Sequence, residues 1–157
     1  MSVQILDDAL IARVLERARA SERRRTNHNF HPGPGDNPHR FLNAMLQGTY
    51  VRPHRHRDPP KSESFLVLEG SVAVFVFDDE GRVVARHDLG AGGVRGIDLS
   101  PGVWHSLVVL SEHAVLFEVK PGPWDPATDK EMAPWAPAEG DPAAGAFVQS
   151  LLAHLPP

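Results

Sequence analysis

Histidine and glutamate side chains at short, regular spacing are the part of this sequence that could do chemistry. His54 and His56 stand two residues apart, and side chains at that spacing on a β-strand point to the same face. Glu63 follows a polar segment, 57–62, and could return to the same place on the next antiparallel strand. Because imidazole and carboxylate groups both bind divalent metals, these residues predict part of a metal site.

A third histidine extends this set. His105 comes shortly after the turn Ser100-Pro101-Gly102, which determines where the next strand begins. Three imidazoles and one carboxylate suit one divalent transition metal, namely Fe, Mn, Co, Ni, Cu or Zn, and do not select among them. The alternative is that these are ordinary surface residues in a chain with nine histidines. The candidate ligands fall in two groups, one from His54 to Glu63 and one at His105, and both lie among predicted β-strands. This arrangement favours the metal site.

The composition argues against several classes of protein. A chain of 157 residues is most simply one domain with a sound core. Its net charge of −4 argues against binding to nucleic acid, and the absence of cysteine excludes disulfides and thiolate metal sites. Charged residues interrupt the N-terminus, and no apolar run approaches the ~20 residues that span a bilayer. We therefore expect a cytoplasmic protein without a membrane segment.

Hydrophobic spacing indicates the elements that position the ligands. Apolar residues at helical spacing predict a helix over 5–20. From Tyr50 to Lys120, β-rich runs alternate with turns, which predicts an all-β sandwich or barrel. The predicted strands are 41–46, 64–69, 72–77, 82–89, 94–99, 103–110 and 114–120. Residues 26–40 have the glycine and proline content of a loop, and 143–152 has the apolar spacing of a short helix.

The chain divides into three segments of one domain. We expect an N-terminal helical segment over 1–26, a β-barrel over 27–120 and a Pro/Trp-rich segment over 121–157 that covers the barrel and ends in the short helix. Trp124 and Trp135 indicate that the last segment packs, because a disordered linker rarely contains tryptophan.

The first motif resembles that of the cupin superfamily. Gly48, His54, His56, Glu63 and Gly70 match its glycine, His-x-His, glutamate and second glycine. Six residues separate the second histidine from the glutamate, where three or four are usual. The resemblance implies an all-β cupin fold, a double-stranded β-helix or jelly-roll-like barrel.

The second cupin motif is also present. Gly102 and His105 match in spacing, Pro101 stands one position late, and Val109 occupies the place of a frequent asparagine. None of these departures removes a ligand. The resemblance therefore implies a four-residue metal site, made of His54, His56, Glu63 and His105.

The chain is further similar to the WbuC family of cupin-fold metalloproteins. The likeness is carried by residues 29–31, 41–44, 48–56, 118–124 and 133–140. Members of that family occur in bacteria, some beside genes for surface-polysaccharide biosynthesis. The resemblance implies the fold and the metal site but names no reaction. Cupin barrels often dimerise through sheet edges, so a homodimer is one expectation.

Strand alternation predicts which residues before the motif line the pocket. If no bulge intervenes, Tyr50 and Arg52 share a face with the two histidines and contribute to substrate binding. Arg52 would then hold a carboxylate or phosphate. The alternative is that Pro53 marks a bulge and Arg52 points to water.

Alternation also predicts residues on the last strand. Glu118 and Lys120 share one face of 114–120, which makes Lys120 a further substrate-binding candidate. Glu118 and His31 are the candidate catalytic groups for proton transfer. For His31 the alternative is a structural hydrogen bond within its own loop.

Three functions agree with these patterns. The first is a small metal-dependent enzyme acting on a sugar or small acid that reaches an open metal position. The second is a non-catalytic cupin that binds metal or saccharide in a regulatory role. The third, a metal-free isomerase or epimerase, would need catalytic histidine and tyrosine without a ligand cluster. In each the partner is a small molecule, and no motif points to nucleic acid or membrane.

Overall fold

The computed structural model describes residues 3–154. Residues 1–2 and 155–157, at the outer ends of the predicted segments 1–26 and 121–157, lie outside the described residues. Helix α1 (Asp8–Ala20) precedes the sheet and helix α2 (Ala144–Leu152) follows it. The strands are β1 (Arg25–Asn29), β2 (His39–Leu46), β3 (His54–Arg55), β4 (Glu63–Phe77), β5 (Val83–Gly90), β6 (Gly96–Leu99), β7 (Trp104–Lys120) and β8 (Glu131–Met132). In this range no helix is long and apolar enough to cross a membrane.

The predicted fold class is confirmed: the strands form one curled, antiparallel cupin-type sheet with a helix at each end of the chain. Its spine is the pair β4 and β7, hydrogen-bonded over residues 64–77 and 104–119. The register shifts twice in the middle of β4, between Val67 and Glu69 and between Gly70 and Val72. Such bulges bend a strand and increase its twist.

The bend folds the β4–β7 ribbon back on itself. Glu63 begins β4 and adjoins the end of β7, whereas His105 lies near the start of β7. In a straight ribbon these two residues would be at opposite ends. Their side chains are instead 3.1 Å apart, from Glu63 Oε2 to His105 Nε2. The bend therefore brings the two ends of the ribbon to one place.

The bulges also change which residues face the interior. Phe65 packs in the interior core before the bulges, and Val72 and Val74 pack there after them. Phe75 faces the opposite side, where α2 contributes Val148 to a second apolar cluster. The strands predicted as 64–69 and 72–77 are thus one strand, and so are 103–110 and 114–120. The predicted turns between them are wrong, because the ladder continues through the bulges.

Helix α1 covers the outer face of β2. Its buried stripe, which includes Val14 and Ala18, packs against Leu42 and Ala44. The Asp7 side chain caps the helix by accepting a hydrogen bond of 2.8 Å from the Leu10 amide. The helix predicted over 5–20 therefore begins at residue 8. The predicted loop 26–40 is wrong at both ends, because residues 25–29 pair with β2 and β2 itself begins at His39.

We expect Gly70 to be the residue least replaceable in the bend. Both Gly70 and Gly48 have positive φ, 73° and 85°, which costs an alanine about 1–2 kcal/mol. A Cβ at Gly70 would also overlap the His113 carbonyl oxygen, whereas at Gly48 the nearest atom is 3.8 Å away. Gly70→Ala should lower the free energy of unfolding by at least about 3 kcal/mol, measured by urea denaturation.

Gly48→Ala is the matched control, since it carries the same backbone strain without the overlap. Equal losses of stability in the two variants would contradict the close approach at Gly70.

Candidate metal centre and its cavity

The four side chains predicted as ligands converge at the closed end of the bent ribbon. Their nearest ligand atoms all lie within 4.8 Å of one another, and the four residues are His54, His56, Glu63 and His105. All four are buried. Short strand β3 places His54 directly opposite His105 of β7 and, on its other side, opposite Met132 of β8. Residues 42 positions apart in sequence, Glu63 and His105, thus share one site.

Each histidine is held by a hydrogen bond from Nδ1 to a main-chain carbonyl. The acceptors are Arg52 and Val103, both at 2.9 Å, for His54 and His105, and Asp129 for His56. A carbonyl oxygen only accepts, so Nδ1 carries the proton. A neutral ring of this tautomer presents a lone pair at Nε2, which is the arrangement found in histidines that bind metals.

The unpaired atoms of the site fit a cation. Nε2 of His56 is buried and has no hydrogen-bond partner among the described residues. It lies 3.3 Å from Glu63 Oε2, which is also 3.1 Å from Nε2 of His105. Burial raises the pKa of Glu63, but the facing Nε2 atoms of His105 and His56, when they carry a proton, and the charge of Lys120 lower it well below its usual value, so the carboxylate is ionised. A cation among these atoms would satisfy all of them.

The electrostatic environment keeps His54 neutral. Burial, and then the positive charges of Lys130 and His105, lower its pKa well below the usual value. Neutral imidazole is the form that binds a metal.

A cavity of about 1210 Å³ adjoins the cluster. That volume exceeds the ~300–1,000 Å³ typical of sites for drug-sized ligands. His54, Glu63 and His105 form part of its wall. Polar residues from several segments also line it, among them His31, Asn43, Arg52, Glu118, Lys120, Asp129 and Lys130. The cavity therefore places several charged groups within one enclosure next to the cluster.

Glu118, on β7, lines this cavity. The side chain is buried and accepts a hydrogen bond of 2.7 Å from Asn43 Nδ2. Burial, together with the negative charge of Glu63, raises the pKa of Glu118 to about 7. A carboxyl group with that pKa can give or take a proton near neutral pH.

Asp129 holds two buried lysines. Lys61 Nζ donates to Oδ1 at 2.9 Å and Lys120 Nζ donates to Oδ2 at 2.8 Å. Lys120 Nζ also lies 4.0 Å from Glu63 Oε1. Lys120 lines the cavity as predicted, but its ammonium is already bound to Asp129. Sequence reasoning missed Asp129, Lys61 and Lys130, because they come from segments without a motif.

Arg52 and Tyr50 have different surroundings. Arg52 lines the cavity, donates from Nη2 to the Ala133 carbonyl at 2.7 Å, and has a buried Nε without a partner in the described part of the chain. Tyr50 does not line this cavity. Its hydroxyl donates to the Pro137 carbonyl at 2.8 Å and its ring packs edge-on against Phe147. The expected shared face fails because residues 50–53 do not form a regular strand.

His31 makes a structural hydrogen bond and also lines the cavity. The Arg40 backbone N–H donates to Nδ1 at 3.1 Å, which is a structural contact between neighbouring chain segments. The ring stacks on His39 with centroids 4.0 Å apart and also lines the cavity. The structure therefore brings His31 to the cavity wall but ties its Nδ1 to the backbone.

Comparison with known families and structures supports the fold. Residues 6–89 match the model of a family described as a domain of unknown function, DUF6016. This range is more than half of the chain and includes His54, His56 and Glu63. It ends before His105 and Glu118. No protein of curated function matches the sequence.

Several solved structures resemble this one in fold. CapF, a capsular polysaccharide assembling protein from Staphylococcus aureus, has a TM-score of 0.57 at 18% identity, over 68% of this chain and 31% of CapF. NovW, a 4-keto-6-deoxy sugar epimerase from Streptomyces spheroides, has 0.51 at 22%, over 59% and 49%. TT1209 from Thermus thermophilus has 0.56 at 21%, over 76% and 97%. This chain thus spans less than a third of CapF, and the likenesses show the fold alone.

Glu118 should make stability depend on pH in metal-free protein. The pKa of Glu118 is about 7 in the folded protein and has its usual value of 4.5 in the unfolded chain. The folded state therefore loses stability as the pH rises from 4.5 to about 7. The variant Glu118→Gln removes this pH-dependent loss of stability. It keeps a side-chain oxygen that can accept the hydrogen bond from Asn43 Nδ2. After chelator treatment, the variant should match wild type near pH 4 and exceed it by on the order of 3 kcal/mol near pH 8.

The measurement is urea denaturation across that pH range. Glu112→Gln changes an exposed carboxylate and serves as the control. A difference between Glu118→Gln and wild type that stays constant with pH would show that Glu118 ionises at its usual value.

Proposed function

The chain belongs to the DUF6016 family, and we propose that it is a metal-binding cupin, a small metal-dependent enzyme that acts on a sugar or a small acid. One observation carries the proposal. Three rings tied through Nδ1 to carbonyls leave their Nε2 atoms around an ionised, buried carboxylate, and one of these Nε2 atoms has no partner among the described residues. Without a cation, that arrangement leaves buried lone pairs unsatisfied.

The proposed ligands of one divalent metal are His54, His56, Glu63 and His105. The chemistry that such a metal supplies is Lewis-acid activation of a substrate oxygen or of water. The identity of the metal, among Fe, Mn, Co, Ni, Cu and Zn, is left to measurement, because this donor set suits all of them.

The residues of the chain would bind the substrate and move a proton. Glu118 is the proposed proton-transfer group, since it lines the cavity, its pKa is about 7, and Asn43 orients it. His31 is a second candidate on the cavity wall. Arg52 and Lys120 are the proposed polar contacts for substrate. Tyr50 is not proposed, because its hydroxyl is bound to a carbonyl outside the cavity.

The sugar is preferred as substrate class for two reasons. The residues that resemble the WbuC family suggest a link to bacterial surface-polysaccharide metabolism. Two proteins of similar fold, CapF and NovW, are a capsular polysaccharide assembling protein and a sugar epimerase. The same proposal includes membership of the WbuC family, a cytoplasmic location and a homodimer. It also includes the division of the single domain into a helical segment, a barrel and a covering segment, over 1–26, 27–120 and 121–157.

The alternative is a non-catalytic cupin that binds metal or saccharide in a regulatory role. It differs from the enzyme in leaving no coordination position open to a small molecule. The two are distinguished by loading the protein with Co²⁺ and adding glycolate, a small chelating acid. A change in the visible spectrum supports the enzyme, and an unchanged spectrum supports the alternative.

We expect purified protein to contain about one equivalent of transition metal. A chelator should lower its melting temperature by several degrees, because the metal binds only the folded state. His56→Ala should abolish both the metal and the effect of chelator. His87→Ala, which removes an exposed histidine elsewhere, should keep both. Metal content is measured by elemental analysis and stability by calorimetry.

The metal should also be released as pH falls, but only below ~6.5, since protonated imidazole is not a ligand and burial lowers the pKa of His54 well below that value. Full metal content in both His56→Ala and His105→Ala would rule out this cluster as the place where the metal binds.

A further inference from the structure

Lys130 is a cavity cation without a carboxylate partner. In the part of the chain described, no carboxylate oxygen lies within the 4.0 Å ion-pair distance of its ammonium, and no acceptor lies within 3.5 Å. Lys61 and Lys120 differ, because Asp129 binds both. Lys130 is also exposed, so a small solute can reach it.

The backbone on both sides of Lys130 is anchored. On one side the Asp129 carbonyl accepts from His56, and the Asp129 carboxylate holds the two buried lysines. On the other side Glu131 forms two hydrogen bonds of 2.9 Å with Arg55 and pairs with it in the sheet. The backbone of Lys130 is therefore held in place beside the cavity.

Lys130 borders the same cavity as the metal cluster. His54, Glu63 and His105 line this cavity, and Lys130 lines it as well. The charge of Lys130 contributes, after burial, to the lowered pKa of His54. The cavity is thus shared by the cluster and by Lys130.

The charges near the cluster leave a positive excess. Lys61 and Lys120 are balanced by Asp129 and Glu63. Glu118 supplies at most one further negative charge. Lys130, Arg52 and a divalent metal together carry more positive charge than that, and an anionic ligand would compensate the excess.

We propose that Lys130 is the anion-binding residue of this site, and that the small molecule bound there carries a carboxylate or phosphate group. The inference rests on the proposed function, because it takes the cavity beside the metal ligands as the substrate site. It narrows the substrate from a sugar or small acid to an anionic one. An ammonium suits either group, since it acts as a point charge with three donors.

The test uses the three lysines of the chain, Lys61, Lys120 and Lys130. Metal-loaded protein is treated with formaldehyde and a borane reductant, and methylation at each lysine is followed by peptide mass spectrometry. The reagent is uncharged, so it does not compete for an anion site. Lys130 should react at least about tenfold faster than the two lysines bound to Asp129, because they are buried and paired.

The same reaction is repeated with glucuronate, glucose 6-phosphate or glucose at matched ionic strength. Protection of Lys130 by glucuronate identifies a carboxylate ligand, and protection by glucose 6-phosphate identifies a phosphate. Glucose should not protect. If neither anion slows methylation of Lys130, or if glucose protects equally, the inference is overturned.

Calorimetric binding of the protecting anion supplies the second readout. Lys130→Met should weaken binding at least about tenfold, whereas Lys130→Arg should retain most of it. Arg95→Met removes an exposed charge outside the cavity and should have no effect. Unchanged affinity in Lys130→Met would also overturn the inference.

Metal analysis of each protein separates the two proposals. Wild-type protein that holds metal but shows no anion protection contradicts only the role of Lys130. Wild-type protein that holds no metal contradicts the proposed function itself.

Discussion

The bend in the β4–β7 ribbon is the constraint on which the rest of the structure depends. Glu63 and His105 belong to opposite ends of this ribbon, and they meet only because the bulges around Gly70 fold it back. At the bend the backbone approaches His113 so closely that a side chain on Gly70 would overlap its carbonyl. This close main-chain approach, seven residues after Glu63 and eight after His105, thus helps to bring the proposed ligands together.

The segment after β7 completes the site electrostatically. Burying charged groups is costly unless each has a partner. Asp129 meets this requirement for Lys61 and Lys120, and its carbonyl also orients His56. One residue thereby joins the barrel, the last segment and the cluster. Without this segment Lys61 would lose its carboxylate partner, Lys120 would keep only the more distant Glu63, and His56 Nδ1 would lose its acceptor.

Two carboxylates in the same cavity have pKa values shifted in opposite directions. Both are buried, so their neighbours decide the outcome. Glu63 accepts protons shared by the neighbouring rings and lies near the charge of Lys120, so it remains ionised. Burial and the nearby charge of Glu63 favour the protonated form of Glu118, and the hydrogen bond from Asn43 offsets them only in part. Such a separation is typical of sites where one carboxylate binds a charge and the other transfers protons.

The fold class, helix α1 and the four residues of the cluster could be predicted without a structure. The i, i+2 spacing of His54 and His56 and the turn before His105 are local patterns, and local patterns are readable in a sequence. Other features could not be predicted in this way. The bulges that make β4 and β7 continuous, the departure of Tyr50 from the cavity, and the arrival of Asp129 and Lys130 depend on contacts between distant residues, such as His56 and Asp129, 73 positions apart. Such contacts produce no periodic pattern in the sequence. They depend on long-range packing and charge compensation, and not on the spacing of neighbouring residues.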